Sequence, residues 1–183
     1  MVELVAKGPA DGLVPHSVGD NVLSAPGPGR LTWIAAGTGQ EKAMSAALRK
    51  TIGLGWPAPG RMISKGDARI AWFGERQALL IGPAAPRLDG AAVSEQSDGW
   101  TLLRLEGSSA REILMRVSPL DLRAGKFGAG QAARSLVVHV PVMLLGMPGG
   151  SFDMLVPRSM TGTVLADVIR AMEIHSALDA VER

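Results

Sequence analysis

The chain has 183 residues, of which 46% are hydrophobic and 20% are charged, and its 19 basic and 17 acidic residues give a net charge of +2. This length suits one domain or two small interlocked halves, and the composition excludes a wholly disordered chain. The sequence contains no cysteine, which excludes disulfides, thiolate nucleophiles and cysteine-based metal sites.

The charge and hydropathy patterns argue against two classes of partner. Lys and Arg are scattered, and their longest run is the pair Arg49-Lys50, so we expect no nucleic-acid binding. No apolar run approaches the roughly 18 residues that span a bilayer, and residues 1–30 lack a signal-peptide pattern. We therefore predict a cytoplasmic protein that does not bind membranes.

The first 30 residues differ in composition from the rest of the chain. They contain four prolines and five glycines without sustained periodicity, which predicts an extended N-terminal arm over residues 1–30. Two interpretations of this arm stay open, a frayed terminus and an arm that lies on a partner subunit. We predict a single α+β domain over residues 31–175 and a C-terminal tail over residues 176–183.

A first β-α-β-β unit is predicted over residues 31–82. A short strand at 31–36 leads into a helix whose start carries the capping-box pair Thr38 and Glu41. Residues 70–82 contain two apolar runs around a short Gly-containing loop, which predicts a hairpin. Because apolar residues occupy consecutive positions, we expect both faces of these strands to be buried.

A second unit of the same kind is predicted over residues 100–156. In its first strand, Trp100, Leu102 and Arg104 point to one face. The following helix starts at a second capping box, which opens at Ser109. Two strand regions complete the unit.

The last predicted element is a helix capped by Ser159, and residues 83–93 and 124–133 are predicted to be loops. Pro141 indicates either a junction of two strands or a bend in an edge strand. The order of elements predicts an α+β fold with two ferredoxin-like (split βαβ) halves, which is a topological duplication without clear sequence identity.

The sequence contains no recognisable catalytic or cofactor motif. No Gly-x-Gly-x-x-Gly follows a strand, and neither a Walker lysine nor a Gly-x-Ser-x-Gly elbow occurs. His16, His139 and His175 are far apart and lack metal-ligand spacing. We predict no catalytic, cofactor-binding or metal-binding residue, and an independent enzyme is disfavoured.

Five individual residues each have a structural interpretation. His139 lies in an apolar strand and is expected to be a hydrogen-bonded core or interface residue rather than a catalyst. Asp121 is expected to make a turn. Arg158 precedes a helix, where it could bind an anion or form an ion pair with a partner chain. Trp72 and Phe73 are expected to pack in a core rather than to form a platform for a cofactor.

Several short segments occur in an order that matches one family. They are LTWIA (31–35), WPAPG (56–60), WFG (72–74), QALLIGP (77–83), QSDGW (96–100), PLDLR (119–123), ARS (133–135) with His139, and RS (158–159). The ordered set resembles the gamma subunit of heterotetrameric sarcosine oxidase, and the resemblance covers about residues 31–172.

The resemblance implies a fold similar to the folate-binding domain of the glycine-cleavage aminomethyltransferases. It implies a non-catalytic structural gamma subunit of a complex that oxidatively demethylates sarcosine to glycine. That reaction uses tetrahydrofolate and oxygen and gives 5,10-methylenetetrahydrofolate and hydrogen peroxide. The FAD, FMN, NAD, tetrahydrofolate and zinc sites are implied on the alpha, beta and delta subunits, with the main contact to alpha.

Two alternative functions stay open at this point. One is a stand-alone folate-binding module of the same fold, and the other is the equivalent subunit of an N-methylglutamate dehydrogenase-type complex. The sequence does not choose between substrates, because the substrate site would lie on another chain.

Overall fold

The computed structural model describes residues 7–181, which form eleven strands and three helices. The strands form two antiparallel sheets, so the predicted α+β class is confirmed. The strands are β1 His16–Val18, β2 Asn21–Ser24, β3 Arg30–Ala36, β4 Met62–Lys65, β5 Ala68–Gly74, β6 Gln77–Gly82, β7 Ala91–Glu95, β8 Trp100–Glu106, β9 Ala132–Val137, β10 Val140–Gly146 and β11 Phe152–Pro157. The helices are α1 Glu41–Ile52, α2 Ala110–Val117 and α3 Thr161–Val181.

The two sheets repeat one topology. The first sheet has the order β4-β5-β6-β3-β7, and the second has the order β1-β2-β8-β11-β10-β9. Each contains a β-α-β-β-β unit, either β3-α1-β4-β5-β6 or β8-α2-β9-β10-β11, in which the first strand lies beside the last. Each unit therefore has one strand more than predicted, and a further strand, β7 or β2, covers the free edge of its first strand.

The layers are stacked as helix, sheet, sheet and helices. Side chains on the facing sides of the two sheets form one core, which includes Leu102 of β8. The next residue along, Leu103, lies on the opposite face in a core that α2 and α3 cover. On the far side of the first sheet, Ile34 packs in a third core with Met44 of α1. The burial expected on both faces of the strands in residues 70–82 is confirmed for β6, whose alternate residues lie in the first and third of these cores, whereas β5 is only half-buried at its Trp72–Gly74 end.

The buried residues of each helix lie along one face. Met44 and Leu48 are the buried residues of α1, and Ala110, Ile113 and Leu114 are those of α2. Burial at intervals of three and four residues turns one face of each helix toward its sheet. In α3 the buried residues are Thr161, Val164, Leu165, Val168, Ala171 and Met172.

Two of the predicted helix caps are wrong. Helix α1 begins at Glu41 after Gln40, and no side chain caps it. The Thr38 hydroxyl instead accepts a hydrogen bond from Arg76 Nη1 at 2.5 Å. Ser159 lies in a 3-10 turn, Arg158–Met160, that precedes α3 and has no side-chain cap.

The predicted capping box of α2 does not form, and the two residues before the helix bond instead to the β1–β2 hairpin. The Ser108 N–H donates to Asp20 Oδ2 at 3.2 Å, and the Ser109 N–H donates to Asn21 Oδ1 at 3.1 Å. A Cβ on Gly107, whose φ is +130°, would lie 2.6 Å from the Asn21 Cα. Glycine therefore lets the turn between β1 and β2 approach closely enough to supply these acceptors.

The segment predicted as an arm contains the β1–β2 hairpin. Strand β2 pairs with β8 in the register Leu23 to Leu105, and Leu23 is fully buried. Helix α3 continues to Val181, through most of the predicted tail. The domain boundaries at residues 30 and 175 stay predictions, and the ends of the predicted arm and tail, residues 1–6 and 182–183, lie outside the described residues.

The structure has strands in two regions where the prediction was wrong or left open. The loop predicted at 83–93 is wrong in its last residues, because β7 begins at Ala91 and pairs with β3 as an edge strand. The strand region around Pro141 is two strands, β9 and β10, which pair in a hairpin. Pro141 precedes Met143, the first residue of β10 that pairs with β11, so its missing N–H costs no bond of that ladder.

Candidate interaction site

The side chains between the two sheets change character from one end to the other. Two of the strands that contribute to this face, β8 and β5, carry an aromatic residue at one end, an aliphatic residue in the middle and an arginine at the other end. On β8 these are Trp100, Leu102 and Arg104, and on β5 they are Phe73, Ala71 and Arg69. The prediction that Trp100, Leu102 and Arg104 share a face agrees with this arrangement.

At the charged end, Asp153 of β11 joins the two sheets. Its carboxylate is fully buried and accepts bonds from Arg104 Nε and Nη2 at 2.6 and 2.9 Å. Arg69, from the other sheet, donates to Asp153 Oδ2 at 2.5 Å. The hydrogen bond to Asp153 raises the pKa of Arg104. Since a buried carboxylate needs paired charge, this cluster fixes the sheets relative to each other.

At the opposite end, the space between the two sheets is open to solvent and is lined by half-buried aromatic side chains. Phe73 and Trp100 meet edge to face, with ring centroids 6.1 Å apart and planes at 89°. The Arg134 guanidinium lies 5.0 Å from the centroid of the Phe73 ring. Trp33 donates its indole N–H to Gln77 Oε1 at 3.1 Å.

We call this opening the aromatic groove. Its residues are Trp33, Trp72, Phe73, Trp100, Arg134 and Leu136. Its larger part encloses about 520 Å³ between the edges of β5 and β9. Three of the four tryptophans of the chain therefore lie at one surface site.

The aromatic groove has the chemistry of a protein-binding surface. Trp and Arg side chains are enriched where partners bury most of their binding energy, and large half-exposed rings gain from being covered. The prediction that Phe73 packs in a core is true of one side only, because the ring contacts the core between the sheets and stays half-buried. Trp72 is also half-buried and lines the groove.

A second, polar cleft lies beside the N-terminus of α2. Its volume is about 480 Å³, and its lining includes Asp20, Ser109, His175 and Asp179. His175 Nε2 lies 3.5 Å from Asp179 Oδ2. Among residues 7–181, His175 Nδ1 is buried without a hydrogen-bond partner, and no three His, Asp or Glu side chains lie close enough to hold a metal ion.

His139 and Arg158, which the sequence analysis considered individually, lie at separate places on the surface. His139 is exposed in the two-residue turn between β9 and β10, so the expectation of a core position in a strand is wrong, and the interface position stays a prediction. In this turn the backbone of Val138 adopts a φ of +54°, in the left-handed region that a β-branched residue rarely occupies. Arg158 is exposed, and its guanidinium lies 3.5 Å from the Lys7 carbonyl oxygen.

Asp121 makes a local turn, as expected. Its carboxylate accepts bonds from the backbone N–H of Arg123 at 3.2 Å and from Arg123 Nε and Nη2 at 2.9 and 2.8 Å. These bonds lower the pKa of Asp121 to about 2. The pair therefore stabilises the fold above the ordinary carboxylate pKa of about 4, and this contribution is lost as the pH falls toward 2.

We expect the Arg123→Gln substitution to raise the pKa of Asp121 toward its ordinary value, because the side-chain bonds from Arg123 are the main cause of the shift. A carbon-detected NMR titration of the Asp121 carboxyl group measures it directly. Lys126→Gln is the matched control, since Lys126 acts only through its charge and should move the midpoint far less. An unchanged midpoint in the Arg123 variant would contradict the assignment.

Most of the chain matches a known protein family. Residues 36–168 match the sequence profile of the sarcosine oxidase, gamma subunit family. The chain belongs to this family. The match includes the groove residues from Trp72 to Leu136 and the ion cluster of Arg69, Arg104 and Asp153, and it begins after the β1–β2 hairpin.

Individual members of the gamma subunit family are similar over most of their length. The sarcosine oxidase subunit gamma of Corynebacterium sp. strain U-96 is 28% identical over 147 residues, which are 73% of this chain and 71% of that protein. The sarcosine oxidase subunit gamma of Corynebacterium sp. strain P-1 is 26% identical over 140 residues, 69% of this chain and 68% of that protein.

A solved structure shares the fold. A chain of the heterotetrameric sarcosine oxidase from Corynebacterium sp. U-96, determined in complex with pyrrole 2-carboxylate, superposes with a TM-score of 0.82 at 24% identity. The alignment covers 93% of this chain and 96% of that one. Within residues 7–181, no helix has both the length and the apolar character to cross a bilayer.

Sequence reasoning missed the ion cluster, although a signal for it was present. Asp153 stands alone as a charge in the apolar run of β11, and a lone acid in a buried strand requires a charged partner. The partner Arg69 lies 84 positions earlier, and no local pattern connects the two residues.

Proposed function

We propose that this chain is the non-catalytic structural gamma subunit of a heterotetrameric sarcosine oxidase. The observation that carries the proposal is the family match over residues 36–168. The aromatic groove supports it, because half-buried tryptophans around an open cavity are expected to be covered in an assembly. The complex would oxidatively demethylate sarcosine to glycine, using tetrahydrofolate and oxygen and giving 5,10-methylenetetrahydrofolate and hydrogen peroxide.

The proposal assigns the chemistry to other subunits. FAD, FMN, NAD, tetrahydrofolate and zinc would be held by the alpha, beta and delta subunits, and the main contact of this chain would be with alpha. The assembly would be cytoplasmic. In this chain the strongly organised charges form the cluster around Asp153, whose hydrogen bonds are made within the fold.

Purification of the tagged chain from its native host tests the proposal. We expect a large assembly that absorbs at about 450 nm, where oxidised flavins absorb, and that oxidises sarcosine. The parallel preparation from an untagged strain is the control for non-specific recovery. A colourless species near the mass of the chain alone, 19.1 kDa, would contradict the proposal.

Two measurements on the same material address the alternatives. An assembly that oxidises N-methylglutamate rather than sarcosine would belong to the related dehydrogenase type. Saturable binding of tetrahydrofolate by the isolated chain would favour a stand-alone folate-binding module.

A further inference from the structure

Strand β9 forms one edge of the second sheet and one wall of the aromatic groove. In an antiparallel pair, opposed residues alternate between those that exchange both backbone hydrogen bonds and those that exchange none. Leu136 is opposite Pro141, which has no N–H to give. The pairs that exchange bonds are therefore the alternate ones, including Ser135 with Val142.

This register decides where the backbone groups of Arg134 and Leu136 point. Both residues belong to non-exchanging pairs with β10, so their N–H and C=O groups point away from β10, toward the free edge. Within residues 7–181, no backbone or side-chain group of the chain bonds to the N–H of either residue. The edge thus offers two donors and two acceptors in the spacing of a strand ladder.

Another segment of the chain pairs with the neighbouring part of this edge, but that pairing does not continue past Ala132. Arg61 forms an isolated bridge with Gln131, and the Ala132 N–H donates to the Gly60 carbonyl oxygen at 3.0 Å. Immediately beyond this bridge the edges of β5 and β9 separate, and the aromatic groove opens between them. A strand placed there would continue a ladder that the chain has already begun.

We propose that an extended segment of a partner subunit adds to β9 as a further strand and seats an apolar side chain against Phe73 and Trp100. This rests on the proposed function, since it requires a heteromeric complex. An extended segment fits better than a helix, because a helix bonds its own backbone internally and leaves the groups of Arg134 and Leu136 unpaired. The side chains of Arg134 and Leu136 point to the groove side, as Ala132 does two residues earlier.

Hydrogen exchange of the wild-type chain tests the proposal in the purified complex. We expect the amides of Arg134 and Leu136 to exchange at least tenfold more slowly in the complex than in the isolated full chain. The amide of Ser135 is the internal control, since it bonds to β10 in both states. Unchanged exchange at Arg134 and Leu136 in a complex that forms would overturn the proposal and leave the gamma-subunit assignment intact.

A pair of variants separates the backbone from the side chain. Leu136→Pro removes the outward N–H without removing a bond to β10, whereas Leu136→Ala keeps the N–H and truncates the side chain. We expect the proline variant to enter the complex about tenfold less well in competition with wild type, a loss of about one hydrogen bond. The alanine variant should lose less than about threefold.

Thermal melting of the two isolated variants controls for misfolding of the proline variant. Equal incorporation of both variants would overturn the proposal. A homodimer of the isolated chain that Leu136→Pro abolishes would also overturn it, in favour of a second copy on β9. Failure of the wild-type chain to enter any complex would remove the proposed function and this inference together.

Discussion

Replacing both Arg69 and Arg104 with methionine is expected to lower the free energy of unfolding by about 3–5 kcal/mol. The double substitution removes all three side-chain bonds to the fully buried Asp153 carboxylate. A buried charge without a partner is among the most destabilising defects a fold can carry. Urea unfolding of the purified full chain, with the slope m compared between variants, measures the loss.

Two controls make this experiment specific. Arg87→Met removes the exposed pair with Asp89, whose side chains are 91% and 87% exposed, and should change stability by less than about 0.5 kcal/mol. Adding Asp153→Leu to the double variant should recover much of the loss, because no unpaired charge remains. A double variant as stable as wild type would show that the cluster does not hold the two sheets together.

Truncating Phe152 to alanine is expected to cost about 3–5 kcal/mol. Phe152 is fully buried beneath α2 and α3. Its ring stacks on Phe127 at a centroid distance of 6.4 Å, and the Arg111 guanidinium lies 5.1 Å from its centroid. Arg111 also donates to the carbonyl oxygens of Leu122 and Phe127, so the ring supports the link between α2 and the loop before β9.

Phe152→Leu is the matched comparison for this cavity. It keeps most of the apolar volume and should lose clearly less than the alanine variant, because a smaller void remains. The same urea titration ranks both variants against wild type. An alanine variant that loses less than about 1 kcal/mol would contradict a tightly packed site and would indicate that the surrounding side chains collapse into the space.

Features that short sequence windows encode were predictable. The hairpin of β5 and β6 and the stripe of Ala110, Ile113 and Leu114 follow from local periodicity, and the structure contains both. The helix caps were not predictable, because they depend on tertiary contacts. Thr38 bonds Arg76 rather than a helix N–H, and the residues just before α2 bond to a hairpin more than 80 residues earlier.

The candidate site could be predicted only in part, because it too depends on tertiary contacts. Alternation along β8 correctly put Trp100 and Arg104 on one face. That they belong to opposite ends of the space between the sheets depends on the second sheet, which no pattern in β8 reveals. The free edge of β9 is likewise a property of strand order, although Pro141 already indicated that pairing changes nearby.

The pairing of β2 with β8 has a consequence for the order of folding. All five strands of the first sheet come from residues 30–95, a continuous stretch that can close as soon as it leaves the ribosome. The second sheet needs residues 16–24 beside β8, about 80 positions later. A loop of that size is slow to close. During synthesis, the β1–β2 hairpin must therefore wait, with Leu23 exposed, until the whole of the first sheet and then β8 have been made.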